Sequence, residues 1–416
     1  MIRIFSISLI VISLLLLSAS PSVAQEVPPE KNEVQQKPDD QAEPSPSDIN
    51  KAGRQPVNRR TVRLGDRDEM LKRARELRLA GVKPMWGDFF GGLPINVEIT
   101  SITTPPPLWP DSALDGEIYK FAPGGGVSYR RIKLAEGNSA LPTDRFIANY
   151  SYFNNVLDIG DVNRYTLGFE RTFDDGMRSI ELRMPIASTL AADQVIGVPT
   201  QFDTQVGNLS LAYKAIVAIQ GSTLTSAGLG ISIPTAPDSR LLNEFGDELI
   251  HVDNQAVHLL PFISWIGTAG DRFNWQAFVQ LDVDSNGNPL VIAGPTGPTP
   301  AGRLSDVTLL FADVGMSYRW LEDREGMIRS VAPFAEIHYS GTFEMIPSLE
   351  FGQPGDFQLN LAPPGIHYDV VNLTLGVHLQ MGENLIVRPG VVIPLREEDI
   401  DRQFDYEVGV QVSVLH

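Results

Sequence analysis

Glu336, His338 and Ser340 alternate along one stretch of chain, an acid, a base and a hydroxyl of the kind that acyl-transfer enzymes combine. In an extended strand they share a face, with successive members about 7 Å apart. That is too far for His338 to take the Ser340 proton directly. A nucleophile–base pair would have to form across strands, with His251, His258, His367 and His378 as the other candidate bases. Gly230-Ile231-Ser232-Ile233-Pro234 departs from the Gly-x-Ser-x-Gly elbow at its last position, and such elbows sit between a strand and a helix. Asp282, Asp284, Asn286 and Gly287 begin like a calcium loop, but Ala293 stands at the twelfth position, where a bidentate Glu is needed. An Asn-Gly turn explains that run more simply. Cysteine is absent, which removes thiol catalysis, disulfides and Cys-held zinc or iron–sulfur clusters. The residues predict no enzyme, no metal site and no cofactor.

A second set carries chemistry of another kind. Arg145, Arg164, Glu170, Glu181, Arg183, Lys214, Asp282, Asp313, Arg319, Glu336, His338, Arg388 and Glu407 fall on the polar phase of segments in which apolar and polar residues alternate. Charges so placed either line an aqueous path or pair across a narrow interior and brace its wall. Both readings put them inside a closed sheet.

The alternation that positions them is clearest at the end of the chain. Phe404, Tyr406, Val408, Val410, Val412 and Val414 interleave there with Asp405, Glu407, Gly409, Gln411 and Ser413. Twelve stretches share this texture, near 144–155, 161–173, 176–187, 204–220, 222–236, 254–268, 271–284, 305–320, 328–343, 367–380, 382–394 and 402–415. Short turns alternate with long Pro/Gly/Asp-rich loops at 188–203, 237–253, 285–303 and 344–366, as in a barrel with two unlike rims. A barrel in lipid turns its apolar face outward and tolerates a polar interior, whereas a secreted β-sandwich buries the apolar face. Charges on nearly every strand favour the barrel. The fold predicted is all-β: an up-and-down antiparallel transmembrane β-barrel of about 12 strands, preceded by a disordered tether and one short helix. Tyr150, Tyr152, Tyr165, Phe169, Phe173, Trp275, Tyr318, Trp320, Tyr339, Phe404 and Tyr406 are expected to form its interfacial girdles. Arginine at Leu375, on the lipid phase, should impair assembly, and arginine at the neighbouring Thr374 should be tolerated.

Ahead of the barrel, Arg3, an apolar run and Ser22-Val23-Ala24 predict a cleaved signal peptide over 1–24. Residues 25–60 are acidic and Pro-rich, without an aromatic side chain, and predict a disordered tether. Residues 61–84 form a basic segment with a helix expected at 66–80. Met70, Leu71, Ala74 and Leu77 recur there at helical spacing, with acids at the start and arginines towards the end. Residues 85–140 predict lead-in loops, with strands near 97–103 and 127–135 or a plug, and 141–416 the barrel. The chain carries a net charge of −18, which excludes a nucleic-acid partner. Residues 51–83 nevertheless hold eleven Lys or Arg against four acids. That basic segment is expected on the periplasmic side, docked at the acidic barrel mouth as a partial plug or bound to an anionic partner. An open pore in so acidic a body should favour cations.

Arg131-Ile132-Lys133-Leu134-Ala135-Glu136, Leu141-Pro142-Thr143-Asp144-Arg145-Phe146 and Arg164-Tyr165-Thr166-Leu167-Gly168-Phe169-Glu170 resemble uncharacterised outer-membrane barrels of planctomycete-type bacteria. Ile233-Pro234-Thr235 and the repeated strand pattern are more distantly similar to the phenol-degradation meta-pathway outer-membrane proteins. The last strand resembles the C-terminal signature of outer-membrane barrels, with His416 where those proteins usually end in Phe. The resemblance implies a barrel in the bacterial outer membrane, surrounded by its lipid and inserted by the barrel-assembly machinery. It implies a channel or transporter for small solutes, aromatic or cationic compounds among them. The alternatives are a surface or scaffold barrel tethered through its basic N-terminal segment and, less favoured, a barrel-embedded hydrolase.

Overall fold

The computed structural model describes residues 67–88, 95–101, 108–109, 118–121, 130–157, 160–198, 201–294, 296–323, 325–343, 348–352, 357–362, 367, 369–397 and 401–416. The signal-peptide and tether expectations lie outside these residues.

Twelve strands close into one barrel: β1 (Arg145–Val156), β2 (Gly160–Phe173), β3 (Arg178–Leu190), β4 (Leu209–Gln220), β5 (Thr223–Ile233), β6 (His258–Ala269), β7 (Phe273–Asp284), β8 (Leu309–Tyr318), β9 (Ile328–Thr342), β10 (Asp369–Met381), β11 (Leu385–Pro394) and β12 (Tyr406–Leu415). Each pairs antiparallel with the next. β12 returns to β1, with Tyr406 opposite Asn154 and Leu415 opposite Arg145, so the sheet has no free edge. Each of the twelve stretches expected from the alternation holds one of these strands.

Burial follows the period of two and settles which face is which. On β1, Arg145, Ile147, Asn149, Ser151 and Phe153 are buried, while Phe146 is 58% exposed and Tyr150 points outward with it. Leu167, Ile180, Leu211, Leu229, Met316, Ile337, Leu375, Ile393 and Val408 continue this exposed apolar surface around the barrel. The largest apolar patch on a soluble monomer is about 300–600 Å², and a belt of this extent is stable only in lipid. Of the expected girdle residues, Tyr150, Tyr165, Phe169, Phe173, Tyr318, Trp320 and Tyr406 are exposed, and Tyr152 and Trp275 are half-buried. Two others are buried. Phe404 is buried edge-on against Phe153, their ring centres 5.4 Å apart, and buried Tyr339 donates its hydroxyl to Asp369 at 2.5 Å.

The two rims differ as expected. At one, Gly221, Gly270 and Gly382 turn the chain with φ of 59°, 65° and 59°. No described residue lies within 4 Å of a Cβ built at these three positions, so the left-handed backbone is what calls for glycine there. At the other rim the long loops, with two lead-in strands, build two small sheets. One orders Leu349–Gly352, Phe357–Ala362, Ile95–Ser101 and Ile118–Phe121. The other orders Gly297–Leu304, Asn288–Gly294, Glu248–Val252, Ser239–Leu242 and Asp193–Val195. One apolar cluster containing Val97, Trp109, Phe121, Ile250, Leu290 and Leu361 packs them together. These strands are too short and too Pro/Gly-punctuated to show a period, and burial between the sheets stabilises them. A lead-in strand lies at Ile118–Phe121, and residues 130–135, the described part of the second expected strand, form none.

The helix α1 (Arg67–Leu79) lies against the short-turn rim. Its Ala74 and Leu77 are buried with Leu141, Met177, Ile216, Leu224 and Ile266. Arg67 pairs with Asp174 at 2.7 Å and Asp175 at 2.9 Å, Arg73 donates to the Ser222 carbonyl at 2.6 Å, and Arg78 to that of Gly176 at 2.9 Å. Burial at this rim lowers the Arg78 guanidinium below its usual range. A closed barrel of this kind is expected to resist detergent at room temperature. Boiling should then shift its gel mobility and abolish its sheet circular dichroism, and a single heat-independent band would contradict closure.

Candidate functional site: the occupied lumen

Two segments of the chain run through the inside of its own barrel. All residues of 83–88 and of 130–142 are buried, charged and apolar alike. The two passes bond to each other, Met85 N–H to Asn138 O at 2.7 Å and Gly137 N–H to Trp86 O at 3.1 Å.

The first pass is held mostly through its backbone. Glu336 accepts from Trp86 N–H and Gly87 N–H, each at 2.8 Å, with its two carboxylate oxygens. Arg388 donates to Pro84 O and Met85 O, both at 3.1 Å, and Gln411 to Trp86 O at 2.6 Å. Thr374 donates to Gly87 O at 3.0 Å. The Trp86 ring lies over Gly390 and Gly409, where a Cβ would come within 2.9 and 3.0 Å of it. Glycines on β11 and β12 thus make a flat bay for an indole.

The second pass brings its own charges. Lys133 sits between Asp88 of the first pass and Asp313 of the wall, over the Phe311 ring at 5.3 Å. His338 bonds Asp313 at 2.7 Å through Nδ1, and its Nε2 is 3.3 Å from Glu336. Arg131 lies 3.6 Å from Asp282, which also bonds His258 at 2.6 Å. Glu136 pairs with Arg164 at 2.8 Å, and its carbonyl accepts from Arg183. Arg145 donates to Gly137 O at 2.6 Å and Lys214 to Ser139 O at 2.7 Å. Glu170 and Glu181 back these cations from the wall, Glu170 to Arg145 at 2.8 Å and Lys214 at 3.0 Å, Glu181 to Arg145 at 3.0 Å and Arg183 at 2.7 Å.

Of the thirteen side chains singled out by their phase, Arg145, Arg164, Arg183, Lys214, Asp282, Asp313, Glu336, His338 and Arg388 contact the two passes directly, His338 lying 3.7 Å from Asp88. Glu170 and Glu181 support that set. Glu407 is buried in the wall, and Arg319 stands at the rim, donating to Ala80 O at 3.1 Å. The partners they hold, Trp86, Asp88, Lys133 and Glu136, carry no periodic signal. For the second pass, the charges Arg130, Arg131, Lys133 and Glu136 crowded into the lead-in were the available clue.

The suggested hydrolase elements separate. Ser340 is buried without a hydrogen-bond partner among the described residues, and both ring nitrogens of His338 face carboxylates. Asp284 Oδ1 accepts from Asn286 N–H and Gly287 N–H at 3.0 and 2.8 Å, a turn, while Asp282 points into the lumen.

The two passes meet closely at Gly87, whose φ is +85° and whose Cβ would lie 2.5 Å from Glu136 Cα. Gly87→Ala is expected to unseat them. Amide exchange at Met85 and Gly137 should quicken by roughly tenfold or more, a cost of about 1.4 kcal/mol, while the barrel strands keep their protection. Unchanged exchange at both amides would show that the contact has slack.

No family model matches the chain, and no curated protein does. The resemblance to planctomycete-type and phenol-degradation proteins thus rests on residue patterns alone. Solved structures of similar build are an outer-membrane channel from Pseudomonas putida F1, with 9% identity over 70% of this chain and 98% of that one and a TM-score of 0.43. The Pseudomonas putida toluene transporter TodX has 11% identity over 71% and 97%, with a TM-score of 0.40. The Ralstonia pickettii toluene transporter TbuX has 12% identity over 71% and 97%, with a TM-score of 0.35.

Proposed function

We propose that the protein is an outer-membrane channel for small solutes that its own chain closes at rest. The observation that carries this reading is the mode of attachment. Wall charges grip the backbone and the few charges of the two passes by hydrogen bonds and ion pairs, and polar contacts of this kind exchange with water when a pass moves. The short-turn rim, with α1 and both ends of the barrel chain, is the periplasmic side. The long-loop sheets face outward. Solutes enter the lumen only when the passes shift, and aromatic or cationic compounds are the classes to try first. The lumen walls carry Arg145, Arg164, Arg183, Lys214 and Arg388 against Glu170, Glu181, Asp282, Asp313, Glu336 and Glu407, nearly balanced. Any cation preference of the opened pore comes mainly from its acidic loops.

Liposome swelling with neutral, acidic and basic solutes tests this. The intact chain should admit them slowly, and a variant with loosened passes quickly. The dense packing of the lumen favours a second reading, a scaffold barrel tethered through its basic segment. On that reading no variant that keeps the barrel folded admits any solute.

A further inference from the structure

We infer that Asp238, His251 and Asp253, at the long-loop end, form a binding site for one divalent first-row transition cation. Ser239 lies opposite Val252 and Arg240 opposite His251 in the strand pair there, so the register carries Asp238 towards Asp253 just beyond its end. Like charges across a strand pair are destabilising unless something positive lies between them. The imidazole is turned to the same point. His251 Nδ1 is 3.1 Å from Glu248 Oε2, so that ring nitrogen is engaged by a carboxylate while Nε2 is turned to the two aspartates. That Nε2 is shut off from solvent and has no hydrogen-bond partner among the described residues. It lies 3.1 Å from Asp253 Oδ1 and 3.8 Å from Asp238 Oδ2.

These three atoms all fall within 4.8 Å of one another. Ligand atoms about 2.1 Å from a shared ion stand about 3–3.5 Å apart, so small side-chain shifts complete the geometry. The remaining oxygens are already engaged, Asp238 Oδ1 by Asn254 N–H at 2.8 Å and Asp253 Oδ2 by the Gln255 amide at 3.3 Å. A carboxylate on the far nitrogen of a ligating His is the usual support for such a site. The surroundings are acidic: Glu248 and Asp193 add two carboxylates, and Arg240 lies 3.4 Å from the first and 3.8 Å from the second. One imidazole with two carboxylates suits zinc or manganese better than calcium, which takes oxygen ligands only. The three side chains are 23–43% exposed, which leaves room for water at the other coordination positions. Pro237 and Ser239, on either side of Asp238, accept from Arg130 at the start of the second pass, so the bound ion would steady that anchor.

The test uses the untagged full-length chain, folded in detergent and stripped with EDTA, titrated calorimetrically with zinc chloride and with manganese chloride at neutral pH. One ion per chain is expected. Binding should be lost in His251→Ala and in Asp253→Asn, and Glu248→Gln should weaken it by about 10-fold or more. Asp247→Asn, nearby but outside the set, should bind as the parent does. Cobalt should give visible bands in the parent that His251→Ala lacks, and heat-shifted gel mobility checks that each variant is folded. Absence of a saturable ion in the parent, or unchanged binding in folded His251→Ala, would overturn the assignment.

Discussion

Replacing Glu336 by Lys is expected to turn a silent barrel into one that carries stepwise ion currents across a planar bilayer. Glu336 is 3% exposed and is the acceptor for two consecutive backbone N–H groups of the first pass. A cation in its place removes both bonds and faces Arg388, which grips the same segment from β11. Removing one partner of a buried charged arrangement costs about 3–5 kcal/mol, and here the pass can relieve the cost by leaving its seat. The barrel ladder does not use the Glu336 side chain, so heat-shifted mobility should persist. Glu336→Gln keeps one acceptor oxygen and should conduct far less. Currents should rise further at low salt when residues 25–84 are also deleted, because Arg67 and its neighbours hold the short-turn rim through ion pairs that salt screens over about 10 Å at 0.1 M. A folded Glu336→Lys barrel that stays silent at every ionic strength would remove the channel reading and leave the scaffold.

Leu375→Arg should prevent assembly. Leu375 is 39% exposed on the outer face of β10, between Ala335 of β9 and Val391 of β11. An arginine facing the middle of the bilayer costs about 2–4 kcal/mol, and insertion selects against it directly. The sequence alone suggests that the next residue inward would accept the same change, as a water-filled lumen would. The structure reverses that expectation. Thr374 is fully buried and donates its hydroxyl to Gly87 O, so Thr374→Arg must displace the first pass or fail to pack. Both variants should therefore behave unlike the parent, but differently. Leu375→Arg should yield little heat-modifiable protein, whereas Thr374→Arg should yield folded barrel with the increased conductance of an unseated pass. Normal yield from Leu375→Arg would place that face away from lipid.

The sequence by itself determined the barrel. Alternation is a local property: each strand declares its two faces over ten or so residues, as Phe404 to Val414 does against Asp405 to Ser413. Twelve such stretches and the charges on their polar phase were therefore legible without any knowledge of partners. The basic helix near the short-turn rim was legible for the same reason, through spacing and end charges. What fills the barrel was decided only by the tertiary structure. A polar inner face looks the same whether water or protein occupies the lumen, because Arg388 or Glu336 suits either. The segments that settle the matter, 83–88 and 130–142, show no burial period, since all of their residues are buried, against the wall or against each other. Their partners stand as far away as 325 residues, between Trp86 and Gln411, a distance over which no local pattern carries information. The long-loop sheets escaped for a related reason: strands of three to eight residues become stable only by burying Val97, Trp109 and Ile250 against one another, and that burial exists only after the barrel has brought their loops together.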